Sequence, residues 1–165
     1  MTTTAVDQDQ LRADVEALVE KLGPGRPSLI PILTDVKRRF HEIDAESMQT
    51  IADVLDIHPV EVHSVASFYS FLHDAREGQY VIRLCRTLSC DFAGKQAVAD
   101  ALTQELGVEF DQTTDDGMFT LEWTNCVGMC DQGPALLVND EVHTRVTPET
   151  AKQIVAACRA AAKEA

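Results

Sequence analysis

The stretch Tyr80-Val81-Ile82-Arg83-Leu84-Cys85-Arg86-Thr87-Leu88-Ser89-Cys90 decides the reading of this chain. Its first five residues are β-branched, aromatic and apolar enough for a buried strand. The strand runs into a loop that sets two cysteines apart by four residues. Val98, Leu102 and Leu106 then recur at helical period up to Gly107, so a helix follows the strand. Residues 119–123 alternate as a second strand. Residues 135–138 and 141–143 pair as a hairpin around Asn139-Asp140. Thr147-Pro148-Glu149 opens a last helix that carries Ala151, Ile154, Val155 and Cys158. Residues 77–165 therefore read as a small α/β unit in which a βα crossover is followed by strands, a hairpin and a closing helix.

Upstream of Asp74-Ala75-Arg76-Glu77-Gly78, a polar break with a glycine, the apolar period is helical throughout. Leu11, Val15, Leu18, Val19 and Leu22 form one stripe, with Asp7 as a cap and Gly23-Pro24-Gly25 as the stop. A second stripe of Leu33, Val36, Phe40 and Ile43 follows, with Ser28 as its cap and Pro31 in the first turn. Asp44 opens a third helix through Met48, Ile51, Ala52 and Leu55. His58-Pro59 opens a fourth, with Val62, Val65, Ala66 and Tyr69 facing inward. The expected architecture is an amino-terminal helical bundle, residues 1–76, and an α/β domain, residues 77–165.

The 165 residues carry 14 Lys plus Arg against 27 Asp plus Glu, a formal charge of -13. So acidic a surface repels phosphate backbones and anionic lipid, which excludes nucleic acid as a partner. The excess is spread over both halves. Lys37-Arg38-Arg39 is the one basic cluster, read as a solvated helix face or, more sharply, as a dock for an acidic partner. The first residues lack a basic region followed by an apolar run, and no apolar run reaches the roughly 18 residues a membrane span needs. The expected location is the cytoplasm, where thiols stay reduced and cysteines serve as ligands or reactive groups rather than disulfides.

Five cysteines are present: Cys85 and Cys90, Cys126 and Cys130, and Cys158 alone. Both pairs fall at strand ends. If the two strands are parallel neighbours, as a crossover through one helix favours, the loops leave the same edge of the sheet and four thiolates converge. Four Cys ligands suit tetrahedral zinc, a 2Fe-2S cluster or a cubane, and ligand softness does not separate them. Structural zinc commonly uses C-x2-C knuckles, whereas both loops here are wider, and pairs on separate loops fit a rhomb in which each iron takes one pair. Gly128, inside Cys126-Val127-Gly128-Met129-Cys130, has the freedom to take positive φ and turn backbone N–H groups toward sulfur. Neither pair is a C-x2-C before a helix, which disfavours a dithiol oxidoreductase. Cys158 lies on the apolar side of its helix and reads as core.

His41, His58, His63, His73 and His143 are scattered, without Rieske-type pairing to a cysteine, and read as surface or capping residues. Asp115-Asp116-Gly117 reads as a turn before a strand rather than a carboxylate site. No G-x-G-x-x-G or P-loop occurs. Phe68, Tyr69, Phe71 and Leu72 are a mixture of core and partner-facing surface.

Several motifs, taken together and in order, resemble one family. In the helical part they are Leu29-Ile30-Pro31-Ile32-Leu33, Ile51-Ala52-Asp53-Val54-Leu55, and Val62 with Val65-Ala66-Ser67-Phe68-Tyr69. In the second part they are Cys85-x4-Cys90, Thr114-Asp115-Asp116-Gly117-Met118-Phe119-Thr120-Leu121, Cys126-Val127-Gly128-Met129-Cys130-Asp131 and Gly133-Pro134. The chain resembles the thioredoxin-like 2Fe-2S subunit of flavin-dependent NADH dehydrogenase modules, found in respiratory complex I and in NAD-linked hydrogenases and formate dehydrogenases. The resemblance implies a thioredoxin-like second domain without the thioredoxin dithiol. It also implies one 2Fe-2S cluster, with Cys85, Cys90, Cys126 and Cys130 as metal and cofactor ligands. FMN and NAD would lie in a larger partner subunit, alongside further iron-sulfur subunits. This subunit would be a non-catalytic electron carrier. Two positions depart from the family pattern: its Cys-x-Gly-Thr-x-Cys loop is here Cys85-Arg86-Thr87-Leu88-Ser89-Cys90, and its frequent Ala before Pro134 is here Gly133. These departures favour a soluble hydrogenase or formate dehydrogenase over the respiratory complex. The rival from another class is a zinc-stabilised interaction module with no redox role. A third reading is a subunit that docks in a complex without any cluster.

Overall fold

A computed structural model describes residues 7–164. The first six residues, part of the stretch read as lacking an export signal, lie outside it. The chain divides between Arg76 and Glu77 into two compact units. Among the described residues, no helix is long and apolar enough to cross a membrane.

The first unit is helical: α1 (Gln8–Leu22), α2 (Leu29–Phe40), α3 (Ala45–Leu55) and α4 (Pro59–Phe68), with a 3-10 turn, Arg26–Ser28, leading into α2. Three helices begin where a side chain satisfies their free N–H groups. Asp7 accepts from Asp9 and Gln10, and Asp44 accepts from Ser47 at 2.7 Å. At α4 the Val60 N–H donates to His58 Nδ1, while Glu61 accepts from the His58 N–H. Each such cap stabilises its helix by about 1 kcal/mol. Leu11, Val15, Ile32, Leu33, Ile51, Leu55 and Val62 are buried in one core.

Four sequence expectations change here. Ser28 does not cap α2; its hydroxyl donates to the Gly23 carbonyl at 2.6 Å and ties the loop back onto the end of α1. Ile43 is fully buried but lies beyond α2, which ends at His41 in the left-handed conformation. Lys37 is not on a solvated face. Its buried ammonium donates to the His73 and Ala75 carbonyls at 2.8 and 2.6 Å, pinning the segment after α4, while Arg39 pairs with Asp35 and Asp14. Tyr69 is the C-cap of α4 and 43% exposed, beside the more exposed Phe68, whereas Leu72 is core.

The second unit contains β1 (Tyr80–Cys85), α5 (Leu88–Phe92), α6 (Lys95–Leu106), β2 (Gln112–Thr113), β3 (Phe119–Thr124), β4 (Leu136–Val138), β5 (Glu141–His143) and α7 (Pro148–Glu164). The sheet order is β2-β3-β1-β4-β5. β1 and β3 are parallel, in register from Tyr80 opposite Phe119 to Cys85 opposite Thr124. The other pairs are antiparallel, and β4 and β5 form the expected hairpin with Asn139 at φ 53°. Val98 and Leu102 from α6, and Ala151 and Val155 from α7, pack with Ile82, Leu84, Phe119, Leu121 and Leu136 of the sheet. This mixed sheet with its helices is the arrangement expected of a thioredoxin-like domain.

Two elements escape a reading by sequence. α5 is five residues long, too short to show a period, and is separated from α6 by Gly94 at φ 92°. β2 is two residues long, and the Asp115-Asp116-Gly117 turn joins it to β3 with Gly117 at φ 70°. Inside β1, Arg83 is buried and pairs with Glu77 at 2.8 Å and Glu122 at 2.9 Å, so the one cation of the central strand is compensated by two carboxylates.

Gly78 enters this sheet where no side chain fits: a Cβ there would lie 2.8 Å from the Phe119 carbonyl carbon, and its N–H donates to Thr120 Oγ1 at 2.6 Å. Gly78→Ala is expected to destabilise the protein by about 1–3 kcal/mol, because backbone cannot yield as a side chain does. Urea denaturation checks it; an unchanged midpoint would mean that the approach of Gly78 to β3 is not close.

Candidate metal centre

The pairing of β1 with β3 decides where the cysteines lie. Cys85 is the last residue of β1 and stands opposite Thr124, the last of β3, so Cys126 follows only two residues beyond the same sheet edge. The Arg86 N–H donates to the Thr124 carbonyl at 2.9 Å and holds the two outgoing loops together. A third segment arrives from the opposite side. The Cys85 N–H donates to the Ala135 carbonyl at 3.0 Å, one residue before β4. Its approach runs through Gly133-Pro134, whose peptide bond is cis. Two further bonds anchor this segment, Arg145 N–H to the Gln132 carbonyl and Val146 N–H to the Pro134 carbonyl.

The four thiols come together at this edge. Cys126 and Cys130 Sγ are 3.1 Å apart and exposed. Cys85 and Cys90 are 1% exposed, share a hydrogen bond, and pack with Ala135, Val127 and Met129. Cys130 lies close enough to Cys85 and Cys90 for their charges to be felt. Cys90 precedes α6, the helix the sequence predicted, and itself lies within the short α5 that the sequence did not show. Cys158 is away from this group, half-buried on α7, and its thiol is pushed up by burial and by the charge of Glu141.

Donors surround the sulfurs unevenly. Burial pushes the Cys85 thiol up, but the Thr87 hydroxyl and N–H, the Cys90 thiol and the Val127 N–H outweigh it and hold Cys85 below its ordinary value. Burial raises Cys90, opposed by the Ala135 N–H and reinforced by the neighbouring Cys85. Cys130 is raised, first by its hydrogen bond with Cys126 and then by charge repulsion from it. Gly128 stands at φ 86° and its N–H donates to Cys126 Sγ at 3.4 Å, the arrangement its freedom of φ allows. The 3.1 Å contact is a hydrogen bond between thiols; two thiolates this close would repel unless a cation shared their charge, which is the chemistry of a metal-binding pair. Four sulfurs on two loops, with N–H and O–H donors aimed at them, fit a soft metal or an iron-sulfur cluster.

The sequence does not mark Thr87, or the N–H groups of Val127 and Ala135, as donors. A hydroxyl residue two places after a ligand-spaced cysteine is the available signal for Thr87; backbone donors leave none. The departures from the family pattern also gain a structural meaning. Thr87 stands at φ -73° and ψ 162°, extended backbone that needs no glycine. A Cβ on Gly133 would lie 3.4 Å from Cys90 Sγ and 3.3 Å from Ala93 Cβ, so this glycine is packed against the site.

Comparison with known proteins agrees with this geometry. The thioredoxin-like 2Fe-2S ferredoxin family matches residues 15–159. The alpha subunit of the NAD-reducing hydrogenase HoxS of Cupriavidus necator is 35% identical over 142 residues, which are 86% of this chain and 24% of that one. An NADH-quinone oxidoreductase subunit of Salmonella typhimurium is 35% identical over 130 residues, 79% of this chain and 78% of the relative. Its counterpart in Mycobacterium tuberculosis is 32% identical over 150 residues, 91% and 60% of the two chains. This chain thus spans about a quarter of the hydrogenase polypeptide and three fifths of the mycobacterial one. Among solved structures, the NAD+-reducing NiFe-hydrogenase in its H2-reduced state superposes with a TM-score of 0.73 at 25% identity, over 81% of this chain and 22% of that one. With matched residues that run from α1 into α7 and include all four paired cysteines, the chain belongs to the thioredoxin-like 2Fe-2S ferredoxin family.

Proposed function

We propose that this chain is the 2Fe-2S electron-transfer subunit of a multisubunit NAD(H)-linked oxidoreductase, with Cys85, Cys90, Cys126 and Cys130 as the cluster ligands. The observation that carries this reading is the convergence of the two cysteine pairs from the ends of neighbouring parallel strands. Each pair takes one iron of the rhomb, the buried pair on the protein side and the exposed pair toward solvent. The cluster supplies one-electron storage. The chain's own part is to hold four thiolates, keep two of them from water and aim donors at their sulfurs.

NADH delivers a hydride, two electrons at once, and a 2Fe-2S centre exchanges one; a flavin in a larger partner subunit must divide the pair. The FMN and NAD sites therefore belong to that partner, which works with further iron-sulfur subunits, and this chain makes and breaks no substrate bond. Similarity to the hydrogenase polypeptide and to the solved NAD+-reducing hydrogenase supports a hydrogenase as the parent complex, equal identity to an NADH-quinone oxidoreductase subunit supports a quinone-linked parent no less, and a formate dehydrogenase module has the same electron chemistry. The two units, residues 1–76 and 77–165, act as a helical docking domain and a cluster domain. The cytoplasm, where thiolates stay reduced, is the proposed location.

The test is iron, acid-labile sulfide and zinc in anaerobically purified protein, with low-temperature EPR after dithionite. About two irons and two sulfides per chain, with a rhombic signal, are expected. One zinc per chain in colourless protein would replace this reading with a zinc-stapled interaction module.

Cys126→Ser is expected to lose most of the bound iron, since closure needs both loops. A variant with full iron and an unchanged spectrum would remove Cys126 from the ligand set. Cys158→Ser is expected to keep its iron and visible spectrum, and loss of iron with normal folding would assign that thiol to the site.

A further inference from the structure

A side-chain hydroxyl stands on the buried sulfur of Cys85, where Thr87 Oγ1 lies 3.1 Å from Cys85 Sγ, and the Ser89 hydroxyl stands likewise on the exposed Cys130. In a free thiol either atom has a proton to give. A sulfur bound to metal has lost its own, so the hydroxyl is then the donor. The geometry is fixed from both sides. Cys85 ends β1 and is 1% exposed, and Thr87 is held in the extended conformation as the residue before α5, with its carbonyl accepting from the Asp91 N–H at 3.0 Å. On the exposed pair the Gly128 N–H reaches Cys126 Sγ at 3.4 Å and the Ser89 hydroxyl reaches Cys130, both on solvent-facing sulfurs.

We propose that Thr87 is a tuning residue of the cluster: its hydroxyl donates to the ligated Cys85 sulfur and raises the midpoint potential. Reduction adds one electron and no proton, so negative charge on the ligand sulfurs grows. A donor aimed at one of them stabilises the reduced form more than the oxidised form. The effect is large at Cys85 because the low polarity around a buried sulfur leaves the O–H dipole unscreened. Ser in place of Thr keeps the donor, and Val keeps the shape without it.

This inference rests on the cluster assignment above, and the experiment separates the two. Wild type, Thr87→Val, Thr87→Ala and Thr87→Ser are loaded anaerobically, and each is titrated electrochemically with the reduced fraction read by EPR. Wild-type protein without a 2Fe-2S signal would overturn the cluster assignment itself. With the cluster present, Thr87→Val and Thr87→Ala are expected to be harder to reduce, the reduced-to-oxidised ratio at a fixed potential falling about tenfold, about 59 mV for one electron. Thr87→Ser is expected to stay close to wild type. Potentials in the Val and Ala variants equal to wild type, or raised, would overturn the tuning role. A shift of the same size in Thr87→Ser would also overturn it, by showing that packing and not the hydroxyl matters. Loss of the cluster in Val and Ala with retention in Ser would assign the hydroxyl to assembly and overturn tuning as its role.

Discussion

The parallel pairing of β1 with β3 is the constraint on which the rest depends. Register sets Cys85 opposite Thr124, and in a parallel pair both strands leave the sheet at the same edge. An antiparallel pairing would send the two loops to opposite ends and separate the cysteine pairs by the length of a strand. What holds the register is the buried set Ile82, Leu84, Phe119 and Leu121 beneath α6, since a slip of one residue would turn these side chains to the other face. The site is thus fixed by a core that contains none of the four paired cysteines.

From that edge the site divides into a protected half and an open half. Cys85 and Cys90 sit against Ala135 with hydrogen-bond donors around them, while Cys126 and Cys130 face water. For an electron carrier this division is useful. Buried ligands with fixed dipoles set the energy of the added electron, and an exposed pair shortens the path to a partner. A purely structural metal has no need for such asymmetry, and this is the physical content behind reading the site as redox chemistry.

Much of the architecture was legible because the signals were chemical as well as periodic. Asp7, Asp44 and His58-Pro59 announced three helix starts, and the structure shows their side chains accepting the expected N–H groups. Asn139 stands at positive φ in its hairpin and Gly107 closes α6. The failures share a cause: they involve partners distant in sequence. Lys37 looked solvated because the carbonyls of His73 and Ala75 that bury it lie more than thirty residues away. Ser28 looked like a cap because its bond to Gly23 runs backward. Ile43 fitted the helical period but packs from beyond the helix end. α5 and β2 were too short for any period to register. At the site, spacing marked the four cysteines, while the hydroxyl and N–H donors that shape their chemistry became visible only once the chain was folded.

The central claim is that two strand-end loops hold two irons between them, one per cysteine pair. Diffraction from anaerobically loaded crystals, recorded on both sides of the iron absorption edge, tests it most directly. The account predicts two adjacent iron peaks, one bound by the sulfurs of Cys85 and Cys90 and the other by those of Cys126 and Cys130. A single metal bound by all four sulfurs, or iron ligated elsewhere on the chain, would contradict it.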